Sequence, residues 1–331
     1  MNTRQKLISA LRASQGEWIS GEALREQLGV SRAAVSKQIK ALKQAGYRIQ
    51  SAPRRGYLFE GATLRLLPDE IREALKQRKT TLFGQAPMDY SESLDSTNTR
   101  AKELAAQGAP QGTLVLAENQ SGGRGRKGRL WFSKPGEGIF LSLVLRPGVS
   151  PMETSRFTLL TAVALARALT ETTAVQITIK WPNDLLAGTG QKARKLAGIL
   201  TEVSMEMDSV DHMVVGVGIN IGHTAFPPEL SKVATSVFLE TGETPGRAEI
   251  VAAFLSHFEQ LMARMENEGF APIMEEWKAH TRFLGRRVAV AQLNQTISGR
   301  ATDIDSQGFL MVRDDGGNEH RIFSGDVTLL P

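Results

Sequence analysis

The sequence contains no cysteine. This absence excludes disulfide scaffolds, cysteine-ligated zinc, iron–sulfur clusters and thiol nucleophiles. Histidine is also scarce, and the five histidines form neither an HExxH motif nor another paired spacing, so no zinc site is predicted. The longest apolar stretch, residues 159–169, is interrupted by Arg167 and is far shorter than the roughly 20 residues of a membrane-spanning helix. Because the N-terminus also lacks the apolar segment of a secretory signal, we expect a cytoplasmic protein with no membrane partner.

The composition is otherwise that of an ordinary globular protein. Of 331 residues, 41% are hydrophobic and 23% are charged. The 31 glycines and 13 prolines are too few for a collagen-like or low-complexity chain. At roughly 100–200 residues per domain, the length predicts two or three domains.

Positive charge is concentrated at the N-terminus. Residues 1–60 hold eleven Lys or Arg and four acidic residues, a net charge of +7. The remaining 271 residues hold 29 basic and 31 acidic residues, a net charge of −2. A basic head on a nearly neutral body indicates a nucleic-acid-binding module.

The basic segment has the pattern of a winged helix-turn-helix. Apolar residues at helical spacing predict a helix over residues 3–13. Ser20 and Ser31 are candidate N-caps of a second and a third helix. The short turn between these two helices contains glycine, which is typical of a helix-turn-helix, here at about residues 21–40. Residues 47–59 then predict a β-hairpin, which would be the wing.

The outer side of the third helix carries short or cationic side chains, which can enter a major groove. The tip of the wing adds two arginines. We therefore expect DNA contacts from Ser31, Arg32, Ala33, Ser36, Lys37, Arg54 and Arg55. A three-helix protein-interaction domain with a solvated basic face is the alternative, but the basic wing and the net charge favour DNA.

A loop rich in glycine and arginine follows a short apolar strand in the body of the chain. Gly123, Gly125 and Gly128 match G-x-G-x-x-G. A dinucleotide site requires a helix after the last glycine, whereas this chain continues into aromatic, β-rich sequence, so we reject that site. The loop has four cations within six residues, namely Arg124, Arg126, Lys127 and Arg129. Guanidinium groups suit phosphate oxygens, which favours a polyphosphate clamp over a solvated loop or a second nucleic-acid patch.

Polar side chains also stand at the ends of other predicted strands. Residues 95–98 lie between a strand and a helix, where they either bind a small polar ligand or only cap the helix. Lys180, Asn183 and Asp184 follow a buried strand, and Lys195 begins the next one. Lysines beside a carboxylate form either a structural ion pair or a site for a nucleotide with Mg²⁺, and the arginine-rich loop favours the second.

These segments together resemble one known family. The resemblance rests on Ser96-Thr97-Asn98, Gly123-Arg-Gly-Arg126, Lys180-Trp-Pro-Asn-Asp184, Arg194-Lys-Leu-Ala-Gly-Ile-Leu200 and Gly218-Ile-Asn220. In this order and spacing the motifs resemble the biotin–protein ligase family. With the basic winged helix in front, the chain is similar to the bifunctional bacterial members that also repress the biotin operon.

The resemblance implies a multidomain α/β (α+β) fold. Its expected parts are a winged helix-turn-helix DNA-binding domain at 1–63, a linker helix at 64–80, a mixed-sheet catalytic domain of the biotin/lipoate ligase type at 81–278, and an SH3-like β-barrel at 279–331.

The resemblance also implies residue roles. The expected catalytic residues are Lys195, Arg126 and Lys180. Biotin contacts are expected from Ser96, Thr97, Asn98, Gln120, Arg124, Gly125, Arg126 and Lys195. Nucleotide contacts are expected from Arg126, Arg129, Lys180, Asn183 and Asn220, with Asp184 as the Mg²⁺ partner. Residues 223–233 lack the expected tryptophan, so Phe226 is the candidate to stack on adenine, and the hairpin at 185–193 looks longer than is usual.

The implied activity is ATP-dependent biotinylation through biotinyl-5′-AMP. The implied acceptor is a lysine of the biotin carboxyl carrier protein of acetyl-CoA carboxylase. With biotinyl-5′-AMP as corepressor, a homodimer is expected to bind the operator DNA of the biotin operon. The alternatives are a biotin-sensing repressor without ligase activity, which the lysines and the arginine-rich loop disfavour, and a lipoate–protein ligase, which that loop and the basic winged helix disfavour.

Overall fold

A computed structural model describes residues 3–188, 192–207, 209–292 and 295–330. The chain divides into two compact units, Met1–Glu70 and Ile71–Pro331. Within the described ranges, no helix is both long and apolar enough to cross a membrane.

The first unit combines helices with a small sheet. Its elements are α1 (Thr3–Ala13), β1 (Trp18–Ile19), α2 (Gly21–Leu28), α3 (Arg32–Gln44), β2 (Arg48–Ala52) and β3 (Gly56–Gly61). Both predicted caps are present: Ser20 Oγ accepts a hydrogen bond from Ala23 N at 3.0 Å, and Ser31 Oγ accepts one from Ala34 N at 3.2 Å. Both helices of the helix-turn-helix therefore begin where their capping residues predict, and α3 ends at Gln44, beyond the predicted limit of about residue 40.

The sheet of the first unit has the strand order β1-β3-β2 with antiparallel pairing, and the β2–β3 hairpin is the wing. The helices bury one apolar side each, with Leu7, Leu11, Leu24, Val35, Ile39 and Leu42 inside. The predicted winged helix-turn-helix is confirmed.

The predicted linker helix is shorter than expected. The structure has α4 at Pro68–Leu75 instead of a helix over 64–80. Proline suits the first turn of a helix and disfavours helical backbone at the residue before it, so α4 does not extend back through Leu67. Glu70, in the first turn of α4, accepts a hydrogen bond from Tyr47 Oη at 2.6 Å and belongs to the first unit.

The second unit is built on a mixed sheet. Its elements before the C-terminal segment are α5 (Leu82–Gln85), β4 (Met88–Ser91), α6 (Thr97–Ala106), β5 (Leu114–Ala117), β6 (Gly138–Leu145), α7 (Thr154–Thr172), β7 (Ile177–Lys180), β8 (Asp184–Ala187), β9 (Arg194–Glu206), β10 (Ser209–Asn220), α8 (Val237–Thr241), α9 (Arg247–Glu268) and α10 (Ala271–Ala279). In the described part of the chain this sheet has seven strands in the order β4-β5-β6-β10-β9-β8-β7. Only the β4–β5 pair is parallel, so the predicted mixed sheet is confirmed.

The two faces of this sheet carry different helices. Successive residues of a strand point to opposite faces. On β9, Thr201 Oγ1 lies 2.8 Å from Thr158 Oγ1 of α7, whereas the adjacent Glu202 accepts a hydrogen bond from Lys102 of α6 at 2.7 Å. The α6 face is sealed by an apolar cluster of Ala101, Ala105, Val115, Val144 and Val214.

A second antiparallel sheet follows at the C-terminus. Its strands are β11 (Arg287–Ala291), β12 (Thr296–Ile304), β13 (Leu310–Arg313), β14 (Glu319–Ile322) and β15 (Asp326–Leu329), in the order β14-β13-β12-β11-β15. Trp181 Nε1, directly after β7, donates a hydrogen bond to the Gly308 carbonyl at 3.1 Å. Ser155 of α7 donates another to the Gln307 carbonyl. The predicted small β domain is confirmed, and these bonds attach it to the strands and helices of the mixed sheet.

Candidate functional site

A cleft of about 720 Å³ opens on the second unit. Its walls include the residues that the sequence analysis assigns to biotin, the nucleotide and Mg²⁺: Ser96, Thr97, Asn98, Gln120, Arg124, Gly125, Arg126, Arg129, Lys180, Asn183, Asp184, Lys195 and Asn220. The five sequence motifs therefore converge on one site.

Three glycines of β9 and β10 form the floor of the cleft on the α6 face. Gly198 and Gly218 are opposite each other in register, and Gly216 is the next residue on the same face. A Cβ at Gly216 would lie 2.0 Å from Asn98 Oδ1, and a Cβ at Gly218 would lie 2.6 Å from Trp131 Cε2. Only glycine lets these two side chains lie directly on the sheet.

One end of the cleft is a compact polar group. Ser96 is the N-cap of α6, so Thr97 and Asn98 belong to the first turn of the helix and not to the preceding loop. Gln120 Oε1 accepts a hydrogen bond from Thr97 N at 2.8 Å. Ser142, fully buried on β6, lies 2.6 Å from Asn98 Oδ1 and 2.8 Å from Thr97 Oγ1. The first turn of α6 and its hydrogen bonds therefore hold Thr97 and Asn98 in place at this end of the cleft.

The arginine-rich loop is folded into a tight hairpin. The Gly125 N–H donates to the Arg129 carbonyl at 2.7 Å, and Arg126–Gly128 form a single 3₁₀ turn between them. Lys127 and Gly128 at the tip have left-handed backbone angles, with φ of 58° and 73°. Arg124, Arg126 and Arg129 of this loop line the cleft, whereas Lys127 at the tip does not.

The C-terminal domain holds this loop. Asp326 Oδ2 lies 2.5 Å from Arg129 and 3.2 Å from Lys127, and Arg126 donates a hydrogen bond to Ser324 Oγ at 2.5 Å. Burial alone would raise the pKa of Asp326, but hydrogen bonds from Arg129 and then Lys127 hold it below its ordinary value. The sequence analysis missed Asp326 and Ser324 because nothing local connects them to a loop some 200 residues earlier in the chain.

Two lysines stand beside one carboxylate, as the strand-end pattern predicts. Lys195 Nζ forms an ion pair with Asp184 Oδ1 at 2.7 Å and lies 5.3 Å above the Trp131 ring. Lys180 is opposite Asp184 in the β7–β8 register, and its ammonium group has no ion-pair partner within the described ranges. The Trp131 Nε1–H is buried and also without a hydrogen-bond partner among those residues. Lys180 is therefore a free cation that the cleft offers to an anionic ligand.

The amides of the cleft are largely held by the protein. Asn183 Oδ1 accepts a hydrogen bond from Arg126 at 3.1 Å, and its Nδ2 donates to the Ile199 carbonyl at 2.7 Å. Asn220 Nδ2 donates to the Thr235 carbonyl at 2.9 Å. Burial lowers the pKa of the Arg126 guanidinium, which nevertheless stays cationic at neutral pH.

An aromatic stack borders the cleft. Phe226 stacks on His223 with ring centroids 5.0 Å apart and an interplanar angle of 13°, and Phe132 lies 6.0 Å from Phe226. Burial lowers the pKa of His223, so its ring is neutral in this stack. Phe226 lines the cleft, and its stacking on adenine stays a prediction. The hairpin at 185–193, which looks longer than usual, lies partly outside the described residues.

In the first unit the predicted DNA residues form an exposed face: Ser31, Arg32, Ala33, Ser36, Lys37, Arg54 and Arg55. Glu22, which the sequence analysis did not single out, accepts hydrogen bonds from Arg25 at 2.7 Å and from Arg32 at 2.6 Å. These bonds, that from Arg25 first, lower the pKa of Glu22 below its ordinary value. Arg55 of the wing lies 4.5 Å above the Trp18 ring. Arg32 and Arg55 of this face are therefore oriented before any DNA arrives.

Three family models match this chain. They are the Biotin/lipoate A/B protein ligase family at residues 90–220, an HTH domain at 3–58 and the Biotin protein ligase C terminal domain at 283–330. Each match coincides with one of the structural parts described above.

Known proteins agree with these matches. The bifunctional ligase/repressor BirA of Bacillus subtilis (strain 168) is 38% identical over 328 residues, which cover 98% of both chains. The biotin--[acetyl-CoA-carboxylase] ligase of Paracoccus denitrificans is 34% identical over 68% of this chain and 93% of its own length. The biotin protein ligase from Aquifex aeolicus in complex with biotin and ATP superposes with a TM-score of 0.63 at 26% identity, covering 74% of this chain and 98% of that one. The predicted family and fold are confirmed.

Asp326→Asn tests whether the C-terminal domain holds the arginine-rich loop. The neutral amide keeps the size of the side chain but loses the ion pairs with Arg129 and Lys127. We expect trypsin to cleave the loop about two- to fivefold faster, because a partly exposed ion pair contributes about 0.5–1 kcal/mol. Mass spectrometry of the fragments measures the cleavage rate at each basic residue.

The control for this experiment is Asp315→Asn. It removes an ion pair of the same kind, with Arg287, from the surface of the same C-terminal domain. Equal cleavage of the loop in both variants would show that Asp326 does not restrain it.

Proposed function

The chain belongs to the Biotin/lipoate A/B protein ligase family, and from this premise we propose that it is an ATP-dependent biotin–protein ligase that also represses transcription. The observation that carries the proposal is the single cleft that joins the polar group around Thr97 to the arginine-rich loop and to Lys180 and Lys195. Its polar end suits the ring of biotin, and its cationic end suits a carboxylate meeting a polyphosphate. The cytoplasmic location is part of the proposal, and so are the domain limits, except that the linker helix spans Pro68–Leu75.

The proposed reaction has two steps. A carboxylate oxygen of biotin attacks the α-phosphorus of ATP, and the bond to the β-phosphate oxygen breaks, which gives biotinyl-5′-AMP and pyrophosphate. A lysine amine of the carrier protein then attacks the carbonyl carbon of this mixed anhydride. An amide forms, AMP leaves, and the amine loses a proton. No side chain of the ligase needs to form a covalent intermediate.

Fixed cations are what the first step needs most. Biotin carboxylate and ATP are both anionic, and their repulsion rises as they approach each other. Lys195 is the proposed contact for the biotin carboxylate and the bridging phosphate, while Arg126, Arg129 and Lys180 take the phosphates. Groups already fixed in place stabilise developing charge without reorganising, and this is commonly the largest single contribution to catalysis.

Mg²⁺ enters the proposal as a companion of ATP. No group of three acidic or histidine side chains that could hold a metal ion exists within the described ranges. Asp184 does stand at the wall of the cleft beside Lys195. Mg²⁺ commonly takes one or two carboxylates and completes its shell with phosphates and water. Asp184 would bind the ion together with the nucleotide, and it would neutralise part of the phosphate charge there.

The acceptor is proposed to be the biotin carboxyl carrier protein of acetyl-CoA carboxylase. The Paracoccus relative is named for that substrate. Leu130 and Val233 line the cleft and are 80% and 58% exposed, so its rim offers apolar contacts to a partner protein. The arginine-rich loop, folded over the cleft, would shield the reactive anhydride from water until that partner arrives.

The repressor part of the proposal rests on the exposed basic face of the first unit. The helix-turn-helix presents Arg32 and Lys37 at the start of α3, where such helices contact bases and phosphates. One winged helix reads one half-site, so binding of an operator calls for a dimer with two-fold symmetry. We propose that biotinyl-5′-AMP orders the cleft loops and thereby favours this homodimer.

Lys195→Ala tests the ligase role. We expect biotin-dependent ATP–pyrophosphate exchange to fall about 100- to 1000-fold, because a fixed cation is removed from the transition state. The control is Lys278→Ala, which breaks a lysine–aspartate pair with Asp303 outside the cleft. A normal melting temperature together with normal exchange in the Lys195 variant would overturn the assignment.

The same exchange assay separates the alternatives. The proposal expects exchange with biotin and little with lipoate. Exchange with lipoate alone would identify a lipoate–protein ligase. Binding of biotin without exchange would identify a repressor that only senses biotin.

The Arg32→Ala/Lys37→Ala double variant tests the DNA face. We expect weaker binding to a random 40-base-pair duplex and a salt slope that is lower by about one unit for each phosphate that the variant no longer neutralises. Arg264→Ala/Arg287→Ala removes the same charge from the second unit and should leave the slope unchanged. An unaltered slope in the first double variant would show that α3 does not bind the DNA.

Sedimentation velocity tests the proposed dimer. We expect mainly monomer without ligand and a clear shift towards dimer with biotin, ATP and Mg²⁺, since ordering of the loops by ligand lowers the entropy cost of association. Lys195→Ala should abolish this shift. A sedimentation coefficient indifferent to biotin and ATP would rule out the switch and leave the ligase proposal standing.

A further inference from the structure

A chain of polar groups runs from the surface of α6 to the polar end of the cleft. It begins at Lys102 and passes through Glu202, Asn98 and Ser142 to Thr97. Asn98 and Thr97 line the cleft, whereas Lys102, Glu202 and Ser142 lie behind its wall. The three residues behind the wall act on a ligand only through Asn98 and Thr97, by deciding where their protons point.

The surface end of this chain, formed by Lys102 and Glu202, fixes the orientation of the Asn98 amide. Asn98 Nδ2 donates to the Leu200 carbonyl at 3.2 Å and to Glu202 Oε2 at 2.8 Å. Burial alone would raise the pKa of Glu202, but hydrogen bonds from Lys102 and then Asn98 hold it below its ordinary value, so the carboxylate stays ionised and can only accept. An inverted amide would place its oxygen against two acceptors. Asn98 Oδ1 must therefore face Ser142.

The next step fixes the hydroxyl of Ser142. It has one proton and lies near two oxygens, Asn98 Oδ1 at 2.6 Å and Thr97 Oγ1 at 2.8 Å. The amide oxygen cannot donate, so the proton of Ser142 is committed to Asn98. The Thr97 proton then has two acceptors in the protein, Ser142 Oγ at 2.8 Å and Gln120 Oε1 at 3.1 Å.

The last step determines whether the Thr97 hydroxyl offers a ligand in the cleft a hydrogen-bond donor or an acceptor. Gln120 Oε1 accepts a hydrogen bond from the Thr97 N–H at 2.8 Å and, with its second lone pair, one from the Thr97 hydroxyl at 3.1 Å. With its proton held by Gln120 or Ser142, the Thr97 oxygen presents lone pairs to the cleft. A ligand group that meets it must be a donor.

We infer that Glu202, Asn98 and Ser142 are positioning residues that fix the Thr97 hydroxyl as an acceptor and thereby select an acid whose ring carries an N–H. This inference rests on the proposed function. The ureido ring of biotin carries two N–H groups, whereas the dithiolane ring of lipoate carries none. Discrimination by a fixed polar group can be strong, because a wrong ligand leaves a buried acceptor unpaired.

The position of Ser142 in the sheet supports its assignment as a positioning residue. It is opposite Gly216 in the β6–β10 register, and Gly216 is opposite Leu200 in the β10–β9 register. Gly216 has no side chain to block Asn98, whose Oδ1 would lie 2.0 Å from a Cβ there. Three neighbouring strands therefore contribute a hydroxyl, a gap and a carbonyl at one level of the sheet.

Ser142→Ala in the full chain tests the inference through biotin-dependent ATP–pyrophosphate exchange. We expect KM for biotin to rise about tenfold, because the Thr97 proton keeps only its longer contact with Gln120 and can turn towards the cleft. The kcat and KM for ATP should change less than about twofold. Ser256→Ala, which removes a buried hydroxyl from α9 outside the cleft, is the matched control.

Two biotin analogues make the test specific to the N–H. Each is a cyclic carbamate in which one of the two ureido N–H groups is replaced by oxygen. In the unmodified protein, the analogue that lacks the N–H facing Thr97 should have KM raised about tenfold. In Ser142→Ala the same analogue should show little further loss, since the acceptor is no longer fixed. Equal losses in both proteins, or an unchanged KM for biotin in Ser142→Ala, would overturn the inference.

A second variant keeps the inference testable if Ser142→Ala melts early. Glu202→Gln is of the same size at a partly exposed position, and its amide can donate, so Asn98 is no longer forced into one orientation. We expect KM for biotin to rise about threefold with kcat unchanged, and an unchanged KM would count against the chain. If the unmodified protein shows no biotin-dependent exchange at all, the proposed function fails instead.

Discussion

The site depends on a patch of the central sheet that has no side chains. Protein interiors are closely packed, so a sheet face under a helix is normally filled. Gly198, Gly216 and Gly218 leave a gap there, and Asn98 and Trp131 lie against the backbone within it. Walls from the start of α6, the arginine-rich loop and two strands meet over this floor. This floor has no side chains that could change rotamer. The floor of the cleft is therefore as rigid as the sheet itself.

Much of this arrangement follows from local sequence. Ser20 and Ser31 predict where α2 and α3 begin because a cap depends on residues three positions apart. The motifs of the cleft are predictable for a similar reason, since each lies at the end of a strand or the start of a helix. Local patterns could not show which motifs face each other. They also overestimated the length of the linker helix, which begins only at Pro68.

What the sequence analysis missed depends on contacts between distant segments. Asp326 reaches Arg129 from the other end of the chain, and no spacing rule connects them. Ser142 is different, because it is a single hydroxyl within the buried, otherwise apolar strand Gly138–Leu145. Such a residue needs a hydrogen-bond partner inside the protein, so it could have been marked as part of a polar network. Its partners, Thr97 and Asn98, become evident only when α6 lies across the sheet.

Carboxylates accompany three of the cations that this protein is proposed to offer to phosphates. Arg32 is paired with Glu22, Arg129 with Asp326, and Lys195 with Asp184. A phosphate that binds at any of these positions therefore replaces one anion with another. The net gain in free energy is smaller than a bare cation would give, because the first ion pair must be broken. The ion pairs nevertheless hold the cations in place before the ligand arrives. They also favour specificity, because an anion that cannot displace the carboxylate binds only weakly. In the cleft, Lys180 and Arg126 lack a carboxylate partner within the described ranges, so a triphosphate can reach them without displacing another anion.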